Sequence, residues 1–373
     1  MPYQDEATGR PDGAPHDAHQ RPVRRRDRLP GPALAVVLAI AVLVLGVALA
    51  GGLFDGAPGL DRDVAQGAGT PAGAAPTPGT PSAPPTARPE PRPTGGEVLV
   101  ARVRSSRFDP SPGRIVPAPA AADDDVPRAY ADGCQVLPPG TTPVRCVYGN
   151  PRARITVALV GDSKALQWLP ALQEVARRQN WRIESYTKSA CAFVRGVTTL
   201  LNGAPYTTCR TWNSRLAARL AHDPPEVVVT SNGKRSVMRT AASPGGSLAL
   251  APGLRAAWGA LARSGSTVVV LRDTPDPGLD VPSCVAQHRA DVRDCSFPRA
   301  TGLRRSGGQA QLLALSQQPR ATMIDLTPQL CPASPCQPVI GDLLVYRKGS
   351  HLTATFVRSM SGELERLLLR ALR

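Results

Sequence analysis

"VALVGDSKALQWLPAL", residues 157–172, decides the fold. It opens on a run of apolar residues, reaches Gly161 where the chain can turn tightly, and continues with apolar residues at helical spacing. A buried strand, a Gly-Asp-Ser turn and a helix thus follow one another without a linker. Ser163 then stands at the C-terminal end of a strand and at a helix start, where free backbone N–H groups and the helix dipole favour a developing oxyanion. The plainer reading is that Asp162 or Ser163 caps the helix, since both residue types are favoured there.

The same alternation continues outward. Apolar, β-branched runs at 155–160 (ITVALV), 181–186 (WRIESY), 226–230 (EVVVT), 266–271 (STVVVL) and 321–326 (ATMIDL) read as buried strands. Helical patterns lie between them at about 165–179, 211–221, 250–263 and 307–317. This order predicts an α/β domain with about five parallel strands covered by helices on both faces. In such sheets functional loops gather at the C-terminal ends of the strands. One last helix is predicted from 353 to about 369, with Phe356, Met360, Leu364 and Leu367 on its buried face. The sequence carries no internal repeat, P-loop or dinucleotide-binding GxGxxG motif, and no cofactor is expected.

The chain has 373 residues, of which the first hundred or so lack the pattern of a folded domain. Residues 1–30 are polar and read as a disordered cytoplasmic tail. Residues 31–54 read as a transmembrane anchor: positions 33–54 carry no charge, a length of about 33 Å as a helix. Arg21, Arg24, Arg25, Arg26 and Arg28 precede this run, whereas Asp55, Asp61 and Asp63 follow it. The positive-inside rule then leaves the N-terminus in the cytoplasm and the rest outside. A cleaved signal peptide ending at residues 48–50 is the competing reading, but the apolar run is longer than a usual signal core of about 7–15 residues. Residues 55–97, rich in Pro, Ala, Thr and Gly, read as a tether of at most about 130 Å when extended. Residues 98–373 remain as the extracytoplasmic domain, with its core at about 151–370.

Export accounts for the cysteines. All eight, Cys134, Cys146, Cys191, Cys209, Cys284, Cys295, Cys331 and Cys336, lie in the exported part. An even number in an oxidising compartment reads as disulfides, and neighbours in sequence are the expected partners because of their short spacing. No CxxC pair supports a metal site. The formal net charge of +15 is concentrated in the exported domain. Such a surface suits anionic wall polymers or lipid head groups, with an arginine-rich compositional bias as the bland alternative; export argues against nucleic acid.

A serine nucleophile needs a base within hydrogen-bond reach. The exported part offers three histidines: His222 after a helix, His288 in a cysteine-bounded loop, and His351 in "VYRKGSHLTATF" (345–356), just before the last helix. A loop leading into the final helix can deliver His351 to the strand ends. At this point the chain resembles the SGNH-type (GDS-serine) esterases and acyltransferases, specifically the extracytoplasmic SGNH domains that accompany membrane acyltransferases acting on cell-surface glycans. The stretches that carry the resemblance are "VALVGDSKALQWLPALQEVA", "TKSACAF", "DTPDPGLDVPSC" and "DLTPQLCPASPCQPVIGDLLVYRKGSHLTATF", together with the leading cysteine pair. It spans roughly residues 114–370.

The resemblance implies a three-layer, flavodoxin-like α/β/α fold. It also implies Ser163 as nucleophile and first oxyanion donor, His351 as general base, and Ala190 at the position of a usual oxyanion-hole glycine. Asn232 falls where the broader superfamily places an oxyanion asparagine. Two positions depart from the pattern. Lys348 occupies the place of the acid three residues before the histidine, and Lys164 follows the serine where histidine is common. A lysine near His351 would disfavour the imidazolium. Alternatively its side chain points to solvent, and a backbone carbonyl or a carboxylate such as Asp342 orients the ring.

Two functions follow. One is an anchored esterase or O-acyltransferase, acetyl being the favoured group, acting on wall or surface glycan; as a transferase it would need a separate multi-span membrane acyltransferase as acyl donor. The other is a catalytically reduced SGNH domain that binds glycan or a partner protein.

Overall fold

The computed structural model describes residues 95–105 and 114–373. The expected tail, the anchor and nearly all of the tether lie outside the described residues. Among the described residues no helix is long and apolar enough to cross a membrane.

The strands of the central sheet are β1 (Glu97–Val100), β2 (Gln135–Val136), β3 (Cys146–Gly149), β4 (Thr156–Gly161), β5 (Arg182–Lys188), β6 (Val227–Ser231), β7 (Thr267–Leu271) and β8 (Ala321–Asp325). They form one eight-stranded sheet in the order β1-β8-β7-β6-β4-β5-β2, with β3 paired antiparallel to β5. All other pairings are parallel. The five strands expected from sequence are present within two residues of their predicted ends. Three more come from the leading segment, so the expected count of about five is too low. Their signals are short or weak: β2 has two residues, and β1 buries only Leu99. Glu97, expected to end the tether, is the first residue of β1.

The sheet is apolar on both faces because helices cover both. Along β4, Val157 and Leu159 pack into one cluster and Ala158 and Val160 into another, as the alternation of a strand requires. The serine-bearing helix α1 (Ser163–Leu166) leads into α2 (Leu169–Gln179). On the other face lie α3 (Thr207–His222), α4 (Ala251–Arg263) and, after α5 (Val281–Gln287) and α6 (Arg299–Arg305), α7 (Gly308–Leu315). Leu169, Leu172 and Val175 of α2 belong to the first cluster. Trp212 of α3, Trp258 of α4 and Ala314 of α7 belong to the second.

The predicted final helix is two helices, α8 (Ala354–Ser359) and α9 (Ser361–Ala371), separated at Met360. The apolar face continues across the break: Phe356, Met360, Leu364 and Leu367 are all buried in the first cluster. His222 closes α3 rather than following it. The four disulfides pair sequence neighbours as expected: Cys134–Cys146, Cys191–Cys209, Cys284–Cys295 and Cys331–Cys336.

Candidate active site

Gly161 ends β4 at φ 144°, a backbone region reserved for glycine. A Cβ there would come within 2.2 Å of the Ser231 carbonyl oxygen, so the turn requires glycine twice over. Asp162, fully buried, is the N-cap of α1. Its carboxylate accepts hydrogen bonds from the backbone N–H of Lys164 (2.9 Å) and of Gly233 (3.1 Å), and pairs with the Arg235 guanidinium at 3.4 Å. The capping role therefore falls to Asp162. Ser163, the first helical residue, keeps its hydroxyl for another partner.

That partner is His351. The histidine is carried by a hairpin of two short strands, β9 (Tyr346–Lys348) and β10 (His351–Leu352), in which Lys348 and His351 face each other across a turn at Gly349 and Ser350. The predicted loop is thus a hairpin, and its geometry explains the departure at 348. His351 Nε2 lies 2.8 Å from Ser163 Oγ, and Nδ1 lies 3.3 Å from the backbone carbonyl of Lys348. The carbonyl selects the tautomer with the proton on Nδ1, which leaves Nε2 to accept from the serine hydroxyl. Meanwhile the Lys348 ammonium is exposed and pairs with Asp123 at 3.3 Å. Asp342, a candidate from sequence, has its carboxylate paired with Arg114 at 3.7 Å.

Ala190 follows β5 with φ 56°, a left-handed conformation that explains why glycine suits this position. The turn is stapled on both sides: Ser189 N–H donates to the Val136 carbonyl and the Tyr206 hydroxyl donates to the Ser189 carbonyl, each at 2.8 Å. Next to it, Cys191 is bonded to Cys209 of α3. Among the described residues no acceptor takes the N–H of Ser163 or of Ala190. The amide of Asn232 is already engaged: Nδ2 donates to the Gly233 carbonyl at 3.0 Å, and Oδ1 accepts from Gln311 at 3.2 Å. Any role toward an oxyanion falls to its second Nδ2 proton.

Sequence reading noted Lys164 only as a departure and missed its partners. Lys164 is 2% exposed and its ammonium is surrounded by the Asp273 carboxylate at 3.2 Å, the Thr274 hydroxyl and the carbonyl of Ser350. Asp273 and Thr274 begin "DTPDPG", just past the end of β7. A buried aspartate two residues past a buried strand was the available signal, but its partner lies more than a hundred residues away.

The electrostatics follow from this packing. His351 is pushed down to about 3, chiefly by burial, then by the Lys164 ammonium and the Arg347 guanidinium; the Lys348 carbonyl opposes this, and Arg235 adds a smaller push down. Burial drives the Asp273 carboxyl above the usual range, against the pull of Lys164 and of the Gly307 N–H. The imidazole is therefore neutral at ordinary pH and available as a proton acceptor, at the cost of weak basicity. Beside the Ser189–Ala190 turn opens a cleft of about 550 Å³ lined by Tyr130, Gln135, Leu137, Thr141, Val144 and Ser189.

No curated protein matches the chain by sequence. Among solved structures it is similar to the periplasmic domain of a lipopolysaccharide acetyltransferase from Salmonella ser. Paratyphi A, at 12% identity and a TM-score of 0.45, over 65% of this chain and 88% of that chain. It is also similar to a carbohydrate esterase family 2 enzyme with a carbohydrate-binding domain from Corynascus thermopiles (Myceliophthora fergusii), at 16% identity and a TM-score of 0.32, over 60% and 68%. The family model for the SGNH domain fused to AT3 domains matches residues 133–366, a span that runs from the first cysteine pair through both ends of the Ser163–His351 contact. The chain belongs to the SGNH domain family.

Proposed function

We propose that the chain is a serine esterase or O-acyltransferase, exported and held at the cytoplasmic membrane by residues 31–54, that moves an acetyl group on or off a cell-wall or surface glycan. The observation that carries this reading is the 2.8 Å contact between Ser163 Oγ and His351 Nε2 at the C-terminal ends of the strands. In the proposed reaction Ser163 Oγ attacks the acyl carbonyl carbon while His351 Nε2 takes its proton. The N–H groups of Ser163 and Ala190 hold the oxyanion, with the second Nδ2 proton of Asn232 as a third donor. The imidazolium then protonates the departing oxygen, leaving an acyl-serine. A glycan hydroxyl, or water, attacks this ester and the same histidine returns the proton.

The carbonyl of Lys348 replaces the carboxylate of a triad as the acceptor for Nδ1–H. A carbonyl can orient the ring, but it lends the imidazolium no negative charge. A weak base suits an activated acyl donor better than a sluggish ester. The family's description as fused to AT3 domains supports a membrane acyltransferase as the donor; here the proposed donor is a separate multi-span protein. The cleft beside Ala190, with Tyr130, Gln135 and Thr141 along it, offers hydroxyl-pairing and stacking groups for a sugar.

The test is to treat the purified protein with a serine-reactive fluorophosphonate and to assay acetyl-ester hydrolysis, with Ser163→Ala as control. Labelling and turnover that both vanish in Ser163→Ala are expected. Absence of both in the wild type, with activity gained by Lys348→Asp, would instead establish the catalytically reduced binding domain. The engaged amide of Asn232 is the observation that favours this second reading.

A further inference from the structure

A buried ammonium is costly unless its charge is paired and its protons are used. Lys164 meets both conditions. Its three acceptors are the Asp273 carboxylate, the Thr274 hydroxyl and the Ser350 carbonyl, one for each ammonium proton. The first two are held rigidly past the end of β7. Asp273 accepts from the N–H of Gly307 at 2.7 Å and from the N–H of Thr274 at 2.9 Å, and its own N–H donates to Gln311 at 2.8 Å. The Thr274 hydroxyl also lies 3.2 Å from the Ser350 carbonyl. That third acceptor belongs to the peptide immediately before His351. Residues 163 and 164 therefore reach both ends of the base: Ser163 the ring, Lys164 the backbone that carries it.

We propose that Lys164, paired with Asp273, is a positioning residue that clamps the Ser350 carbonyl and so holds His351 Nε2 against Ser163 Oγ, sharing with the Lys348 carbonyl the orienting half of the task of the carboxylate absent at position 348. The inference rests on the reading of Ser163 and His351 as nucleophile and base. A triad carboxylate does two things: it fixes the tautomer and orientation of the ring, and it stabilises the imidazolium. The clamp supplies orientation and works against the charge. The charged groups facing His351 are Lys164 from α1, Arg347 from β9 and Arg235 from the loop after β6. Asp273 and Asp162 partner Lys164 and Arg235. The Lys348 ammonium, committed to Asp123, is turned away.

A merely structural ion pair would move the ring's titration midpoint through its charge but leave its tautomer alone, so the tautomer is the readout. The experiment uses full-length protein in detergent, labelled with ¹⁵N-histidine, with the His351 signals assigned by His351→Gln. It compares wild type with Lys164→Met and with Lys164→Met/Asp273→Asn, which leaves no unpaired buried charge. In wild type the Nδ1–H tautomer is expected, still neutral at about pH 5. In the variants the ring is expected to shift toward the Nε2–H tautomer and its titration midpoint to rise by about one pH unit or more. Fluorophosphonate labelling of Ser163 is expected to slow by roughly 10- to 100-fold. A folded double variant whose ring keeps the wild-type tautomer overturns the clamp, whatever its midpoint. Should the double variant not fold, Thr274→Val removes one leg of the clamp without touching a charge; a ring shift in the same direction supports the proposal, and an unchanged ring overturns it. A wild type that fails to label at Ser163 contradicts the catalytic reading, while the ring signals still decide the clamp.

Discussion

At the scale of single residues, position 348 acts through its backbone. The side chain reaches Asp123, whereas the carbonyl reaches the imidazole. Lys348→Ala is therefore expected to change kcat/KM on an acetyl ester by less than about threefold, while Ser163→Ala lowers it by at least about 10³-fold. The pH profile adds a second check. With His351 held to about 3 instead of the ordinary 6.5, the base keeps its neutral form in mild acid. The acid limb of kcat/KM should then lie well below about pH 5, where an unperturbed histidine would already be protonated. The linkage has a matching sign: the contribution of the neutral ring to stability is whole above 6.5 and is lost as the pH falls toward about 3. Ser163 and His351 were legible in the sequence because the Gly-Asp-Ser turn and the scarcity of histidines single them out. Lys164 was visible only as a departure, since its meaning depends on Asp273 and Ser350, which topology brings from two other segments.

At the scale of elements, the strands were legible where burial on both faces makes an unbroken apolar run, as in β4 and β6. Where a strand is two residues long, or exposed on alternate positions at a sheet edge, the run disappears; β1 to β3 were unreadable for that reason. The break at Met360 was hidden because α8 and α9 share one continuous apolar face. Two contacts between elements yield predictions. The Cys191–Cys209 bond ties the turn at Ala190 to α3, closing a loop with a sequence separation of 18. Replacing both cysteines by alanine is expected to cost about 3 kcal/mol of stability and, on the proposed mechanism, to lower turnover beyond that loss, since the turn at Ala190 loosens. Thermal unfolding and kcat measured on the same samples check both. Glu363 of α9 binds Arg102 through its N–H (2.7 Å) and guanidinium and pairs with Arg366, so that burial, which raises its pKa, is outweighed and the carboxyl is held to about 2. Its contribution is present above 4.5 and lost as the pH falls through about 2, so Glu363→Gln should lower the melting temperature at pH 7 and make little difference near pH 2.

At the scale of the whole molecule, the proposal sets a soluble-type α/β domain on a tether that reaches from a membrane helix. The uncharged run at 33–54 and its arginine flank carry that part of the account. Deleting residues 33–54 is expected to move the protein from the carbonate-resistant membrane fraction to the soluble one, without altering ester hydrolysis by the released domain. Composition and patterning suggest a division into anchor, tether and domain that lies largely outside the described residues; the sheet order was not legible, because strand neighbours are set by packing between segments distant in sequence. The catalytic claim is tested most directly by trapping the intermediate: mix the protein with an activated acetyl ester, quench in acid within the first turnover, and map the acetyl group by peptide mass spectrometry. The account predicts acetyl on the hydroxyl of Ser163, accumulating in the wild type and absent from Ser163→Ala. An acetyl-free Ser163 in a protein that still hydrolyses the ester, at a rate unchanged by Ser163→Ala, would contradict it.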